Sequence, residues 1–196
     1  LLIKRLPATF PIFIPGIGAF VTLPNRPISL RDDAEISLAG PLLGGVASLV
    51  CLLIFFFTSS QFSQNYQWLA LASFGFFLNA LNLIPVLPLD GGHIGRALSR
   101  YFSIAGLAII ALLYFTTHNF FFLLIGFYGL SEVMQSFNSP VRQIAMRTHD
   151  RTVVFIMYGV VAALLLLGWW ATNDPHPLNF LLHLLRPDLA PFLKFL

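Results

Sequence analysis

Asn82-Leu-Ile-Pro85-Val-Leu-Pro88-Leu-Asp90-Gly-Gly92 divides the chain and sets a carboxylate among very apolar residues. Two prolines remove backbone donors and force the residues before them out of the helical region, so a helix arriving from Trp68 is expected to break at Ile84. Gly91 and Gly92 permit close backbone approach, and a helix can restart around His93 with Asp90 near its N-terminus. An aspartate at such a turn can serve simply as a helix cap. An ionisable side chain at membrane depth is costly unless it meets a partner or a wet cavity, which makes Asp90 the first candidate for chemistry. Asn79 and Asn82, three apart on an otherwise apolar helix, add hydrogen-bonding groups that need partners once buried.

The surroundings of this break are those of a membrane protein. Of 196 residues, 57% are hydrophobic and 10% charged, with 21 phenylalanines and a mean hydropathy of +0.81; a soluble domain carries roughly 25% charged residues. Five apolar segments, Ile36 to Thr58, Trp68 to Ile84, Phe102 to Thr116, Phe120 to Met134 and Val153 to Ala171, approach the roughly 20 residues a membrane-spanning helix needs. A single helix through the third and fourth would be roughly 50 Å long, too long for one span. Two short helices around Thr117-His118-Asn119 are expected instead.

Residues 7 to 35 are rich in proline and glycine, with β-prone runs at Phe10 to Ile14 and Gly18 to Thr22 and a charged stretch, Arg31-Asp-Asp-Ala-Glu35. They read as an irregular segment or β-hairpin lying on or dipping into the membrane. The expected fold is thus an all-α polytopic membrane protein with about five transmembrane helices, a Pro/Gly-rich membrane-associated β-hairpin and a Pro-broken helix at the site. It forms one membrane domain over 1–196: a hairpin region 1–35, a core 36–101, additional transmembrane helices 102–172 and an interfacial tail 173–196. If all five segments span, one side receives Lys4, Arg5, Arg26, Arg31, Arg96, Arg100, Arg142, Arg147 and Arg151. Excess Lys and Arg marks the cytoplasmic side, and Asp90 falls on or near it.

Other chemistry-bearing residues have structural readings. Cys51 lies in an apolar run with no partner for a disulfide or metal site. The Phe120 to Phe122 run and Trp169-Trp170 read as lipid-facing or interfacial anchors, and the scattered basic residues give no nucleic-acid signal. An aspartate oxygen is a competent Zn²⁺ ligand, and His93, three residues on, could be a second. His118, His149, His176 and His183 lie in loops or the tail and form no i, i+4 pair, so the residues alone do not complete a zinc site.

Asn82-x-x-Pro85-x-x-Pro88-Leu89-Asp90-Gly91 closely resembles the signature of the site-2 protease family, intramembrane zinc metalloproteases in which this aspartate supplies the third zinc ligand. Pro11-Ile-Phe-Ile-Pro15-Gly-Ile-Gly18-Ala-Phe20 is similar to the segment that follows the family's HExxH helix, and Ser37-Leu-Ala-Gly40-Pro41-Leu-Leu-Gly44-Gly45 to the start of its next core helix. The resemblance runs from about Pro11 to Arg100. It implies a Zn²⁺ cofactor, Asp90 as metal ligand, and membrane-protein substrate helices as partners within the lipid bilayer.

The HExxH itself, with two histidine ligands and a glutamate general base, is absent from the sequence. The resemblance places it shortly before Pro11 and so just upstream of Leu1, and the chain, which opens Leu1-Leu-Ile-Lys-Arg5, reads as a fragment expected not to hydrolyse peptides as it stands. Asn82 becomes a candidate for stabilising an oxyanion or holding substrate backbone. Gly16, Gly18, Ala19 and Phe20 could offer a strand edge to an unwound substrate. Gly40, Gly44 and Ser48 form a small-residue stripe expected to pack closely on another helix, the HExxH helix being the specific expectation. Two other classes remain open: an ion-coupled transport component using Asp90 beside its broken helix, and a catalytically dead membrane scaffold.

Overall fold

A computed structural model describes residues 12–14, 18–20, 29–58, 62–138 and 146–173. Strands β1 (Ile12–Ile14) and β2 (Gly18–Phe20) pair antiparallel with Ile12 opposite Phe20 and Ile14 opposite Gly18. Six helices follow: α1 (Leu30–Phe57), α2 (Phe62–Asn82), α3 (Asp90–Leu98), α4 (Arg100–Thr117), α5 (Phe120–Asn138) and α6 (Thr148–Asn173).

Helix α1 begins earlier than expected, and the charged stretch Arg31 to Glu35 forms its opening turns rather than part of an irregular segment. Ser29 is the N-cap, its Oγ accepting from the Asp32 backbone N–H at 3.1 Å. Asp32 and Asp33 then sit in the first turn, where the helix dipole favours negative charge. Helix α2 ends at Asn82, two residues before the expected break. Helices α4 and α5 are separate, as expected: His118 ends α4 in a left-handed conformation with φ 51°, and Asn119 Oδ1 accepts from the Phe121 N–H at 2.9 Å to start α5.

Among the described residues, α1 and α6 are long and apolar enough to cross a membrane, and α4 and α5 carry shorter apolar stretches over Tyr101–Thr117 and Phe120–Gln135. Their outer surfaces are apolar too; Leu43 is 68% and Phe127 77% exposed. Such all-round hydrophobicity belongs in lipid rather than water.

Inside, α1, α2, α3 and α6 share one core that includes Leu38, Phe55, Phe76, Ile94, Val154 and Leu165. A second cluster, Val86, Leu89, Ile110, Phe122 and Ile125, seats the broken segment on α4 and α5. Gly44 and Ser48 of the stripe pack on α2, while Gly40 faces Asp90 of α3. A Cβ on Gly44 would land on the Asn79 side chain, and one on Gly75 would land on Ser48 Oγ, so the two helices run antiparallel in close contact.

Ion pairs gather the helix ends. Arg31 pairs with Glu35 at 2.7 Å within α1 and with Asp150 at the start of α6. Asp33 lies 3.2 Å from His93 Nδ1, and Arg96 lies 3.2 Å from Glu132 on α5. The start of α1, helix α3, the last turns of α5 and the start of α6 therefore meet in one polar layer.

Candidate functional site

The segment between α2 and α3 is shaped by its two prolines, which cannot donate to a helix. Leu83 and Ile84 close tight turns onto the Ala80 and Leu81 carbonyls at 3.1 Å, Leu89 donates to the Val86 carbonyl at 3.0 Å, and the Leu87–Pro88 peptide is cis. The Leu83 carbonyl accepts instead from Tyr158 Oη of α6 at 2.7 Å. Helix α3 lies directly on this segment. A Cβ on Gly91 would fall on the Leu83 and Ile84 carbonyl oxygens, and one on Gly92 would come within 2.6 Å of the Val86 carbonyl carbon, so only glycine fits at either place.

Asp90 is the first residue of α3, and this decides one question the sequence left open. The N-cap is Leu89, with no side-chain cap hydrogen bond, so the Asp90 carboxylate does not cap the helix. It is half-buried, with Oδ2 3.4 Å from where a Cβ on Gly40 would stand. Among the described residues none hydrogen-bonds to it. Burial raises its pKa above the ordinary carboxylate value, and positive charge on His93 partly offsets this.

The two asparagines part company. Asn79 Nδ2 donates to the Gly75 carbonyl at 2.7 Å and fills the hollow over Gly44, so it is a packing residue. Asn82, in the last turn of α2, is half-buried, and among the described residues its side chain has no hydrogen-bond partner. It stands at one end of the broken segment and Asp90 at the other.

His93 is engaged elsewhere. Its Nδ1 faces both Asp33 Oδ2 at 3.2 Å and Arg96 Nη2 at 2.9 Å, and it can serve one at a time: protonated, it donates to Asp33; unprotonated, it accepts from Arg96. Among the described residues, no group of three or more His, Cys, Asp or Glu could hold a metal ion. The donor chemistry of Asp90, a half-buried carboxylate with no hydrogen bond from the described residues, fits one Zn²⁺ ligand, and those residues do not supply the rest. Gly18, Ala19 and Phe20 lie on β2, and Gly16 is outside the described residues.

Residues 58–126 match the family model of Peptidase family M50. The match supports the resemblance to the site-2 protease family, and it spans α2, the broken segment, α3, α4 and the opening of α5, with Asn82 and Asp90 inside it. Together with the two long apolar helices it supports a membrane protein. Searches of curated proteins and of solved structures found no match. Tyr158, which fastens the broken segment from α6, was not foreseen; a lone tyrosine 75 residues away carries no local signal.

Proposed function

We propose that this chain is the core of a zinc-dependent intramembrane endopeptidase that cleaves transmembrane substrate helices. The observation that carries the reading is Asp90: a half-buried carboxylate at the head of α3, neither capping its helix nor hydrogen-bonded among the described residues, within the stretch that matches Peptidase family M50. Asp90 would be one ligand of Zn²⁺. Two histidines of an HExxH segment, which the resemblance places ahead of Pro11, would complete the set.

When bound, the metal would lower the pKa of water and polarise the scissile carbonyl. The residues of this chain do the placing. The Pro85/Pro88 break presents the carboxylate at the α1–α3 contact beside Gly40, and Asn82 offers a neutral amide to an oxyanion or a substrate backbone group without adding charge. A two-stranded pair leaves outward-facing backbone groups, so β2, with Gly18, Ala19 and Phe20, could add an unwound substrate segment by β-pairing. The polar layer joining α1, α3, α5 and α6 favours a multi-pass arrangement with Asp90 near the Arg-rich, cytoplasmic side.

The test is zinc content and casein-type proteolysis of the full-length gene product in detergent, beside Asp90→Ala. Stoichiometric zinc and activity, both lost in the variant, are expected. A folded protein with neither zinc nor cleavage would overturn the proposal in favour of a scaffold or a transport component.

A further inference from the structure

Helix α3 is nine residues long and three of them, Gly91, Gly92 and Gly95, are glycines. So short and glycine-rich a helix has little stability of its own, and its position must come from what it touches. Its buried side, Ile94, Ala97 and Leu98, rests on the core. Its polar side carries His93 and Arg96, one turn apart. The Arg96 guanidinium is shared between two helices: Nη1 lies 3.2 Å from Glu132 on α5, while Nη2 lies 3.8 Å from Asp33 on α1 and 2.9 Å from His93 Nδ1. Asp33 is seven residues before Gly40, two turns along the same face of α1, roughly 10 Å away. Helix α3 thus meets α1 at two points on one face: the Arg96/His93 contact with Asp33, and the Asp90 contact with Gly40.

We propose that Arg96, held between Asp33 and Glu132, is a positioning residue that sets the place of α3 and so keeps the Asp90 carboxylate beside Gly40. The guanidinium suits this task because its planar fork can engage two carboxylates at once. The functional weight of the clamp rests on the reading of Asp90 given above, whereas the clamp itself is a matter of position and is tested without zinc or activity.

The reporter is a disulfide. In the gene product, with its native cysteines, Cys51 among them, replaced by alanine, Gly40→Cys and Asp90→Cys are introduced together. The rate of oxidative closure in detergent is read as loss of maleimide labelling. A Cβ on Gly40 makes only ordinary contacts, so the substitution is sterically mild. Closure is expected in this parent. Arg96→Gln and Asp33→Asn should each slow it about fivefold, the scale of a part-exposed charge network, and Arg96→Lys should recover part of the rate. Arg31→Gln, which breaks the α1–α6 pair in the same polar layer without touching α3, should leave it unchanged. Failure of the parent to close, an unchanged rate in Arg96→Gln, or an equal loss in Arg31→Gln would each overturn the proposal. Intact closure, together with no zinc in the gene product that keeps Asp90, would remove the protease reading and leave the clamp standing.

Discussion

Gly91→Ala is the sharpest perturbation of the site that leaves its chemistry untouched. The added methyl would fall on the carbonyl oxygens of Leu83 and Ile84, which are backbone atoms and cannot swing aside as a side chain would. Overpacking of this kind costs about 1–3 kcal/mol, and the rigid obstacle places it toward the upper end. Against it stands the helix propensity of alanine over glycine, at most roughly 1 kcal/mol. The net is a destabilisation of about 1–2 kcal/mol, or a fall in Tm of about 2–8 °C for a chain of this size. Gly159→Ala is the matched control: it lies inside α6, with nothing within 4 Å of its added methyl, and keeps only the propensity gain. Thermal unfolding of both variants in one detergent should therefore show opposite signs. A rise in Tm for Gly91→Ala like that of Gly159→Ala would refute the close packing of α3 on the broken segment.

Three further outcomes are expected. Tyr158→Phe removes the hydrogen bond to the Leu83 carbonyl and should lower stability by about 0.5–1.5 kcal/mol; an unchanged denaturation midpoint would show that the carbonyl finds another partner. His118→Gly relieves a left-handed conformation and should raise stability by about 1 kcal/mol, measured the same way, with a loss counting against the α4–α5 corner described above. The raised pKa of Asp90 means that the folded protein binds its proton at higher pH than the unfolded chain, so this group destabilises the fold as pH rises through that window. Asp90→Asn in zinc-free detergent should accordingly be more stable than the parent above the window, the advantage fading as pH falls below the unfolded carboxylate pKa; a pH-independent difference would contradict the burial.

Features written in local chemistry were legible in the sequence. Pro85 and Pro88 announced the break, the combined length of residues 102–134 required the division at His118, and the glycines after Asp90 pointed to close backbone approach. The start of α1 was missed although its signals were present, because the acids of its first turn were read for charge and Ser29 was not read as a cap. The stripe of Gly40, Gly44 and Ser48 was legible as a packing surface, but its partner was not: no local pattern says that Asn79 and Gly75 of α2 lie opposite. The ion pairs between helices were beyond reach for the same reason, since Arg31 and Asp150 stand 119 residues apart. For the candidate site, the Asp90 carboxylate and Asn82 stood out by residue type and spacing. That Asp90 leaves the cap to Leu89, and that Asn79 is already engaged, emerged only from the fold.

The contact between α1 and α2 is built as a pair of reversed notches. At one level the glycine belongs to α1 and the protruding side chain, Asn79, to α2; one turn further, the glycine belongs to α2 and the protruding side chain, Ser48, to α1. Two notches facing opposite ways forbid sliding in either direction, because a shift of even one residue, about 1.5 Å, drives a side chain into backbone. Since Gly40 is carried on α1 and Asp90 follows α2 across the broken segment, this interlock works as a gauge of their relative height. The height of the carboxylate along α1 is set a turn or more away from the residue itself, by residues that take no part in any chemistry.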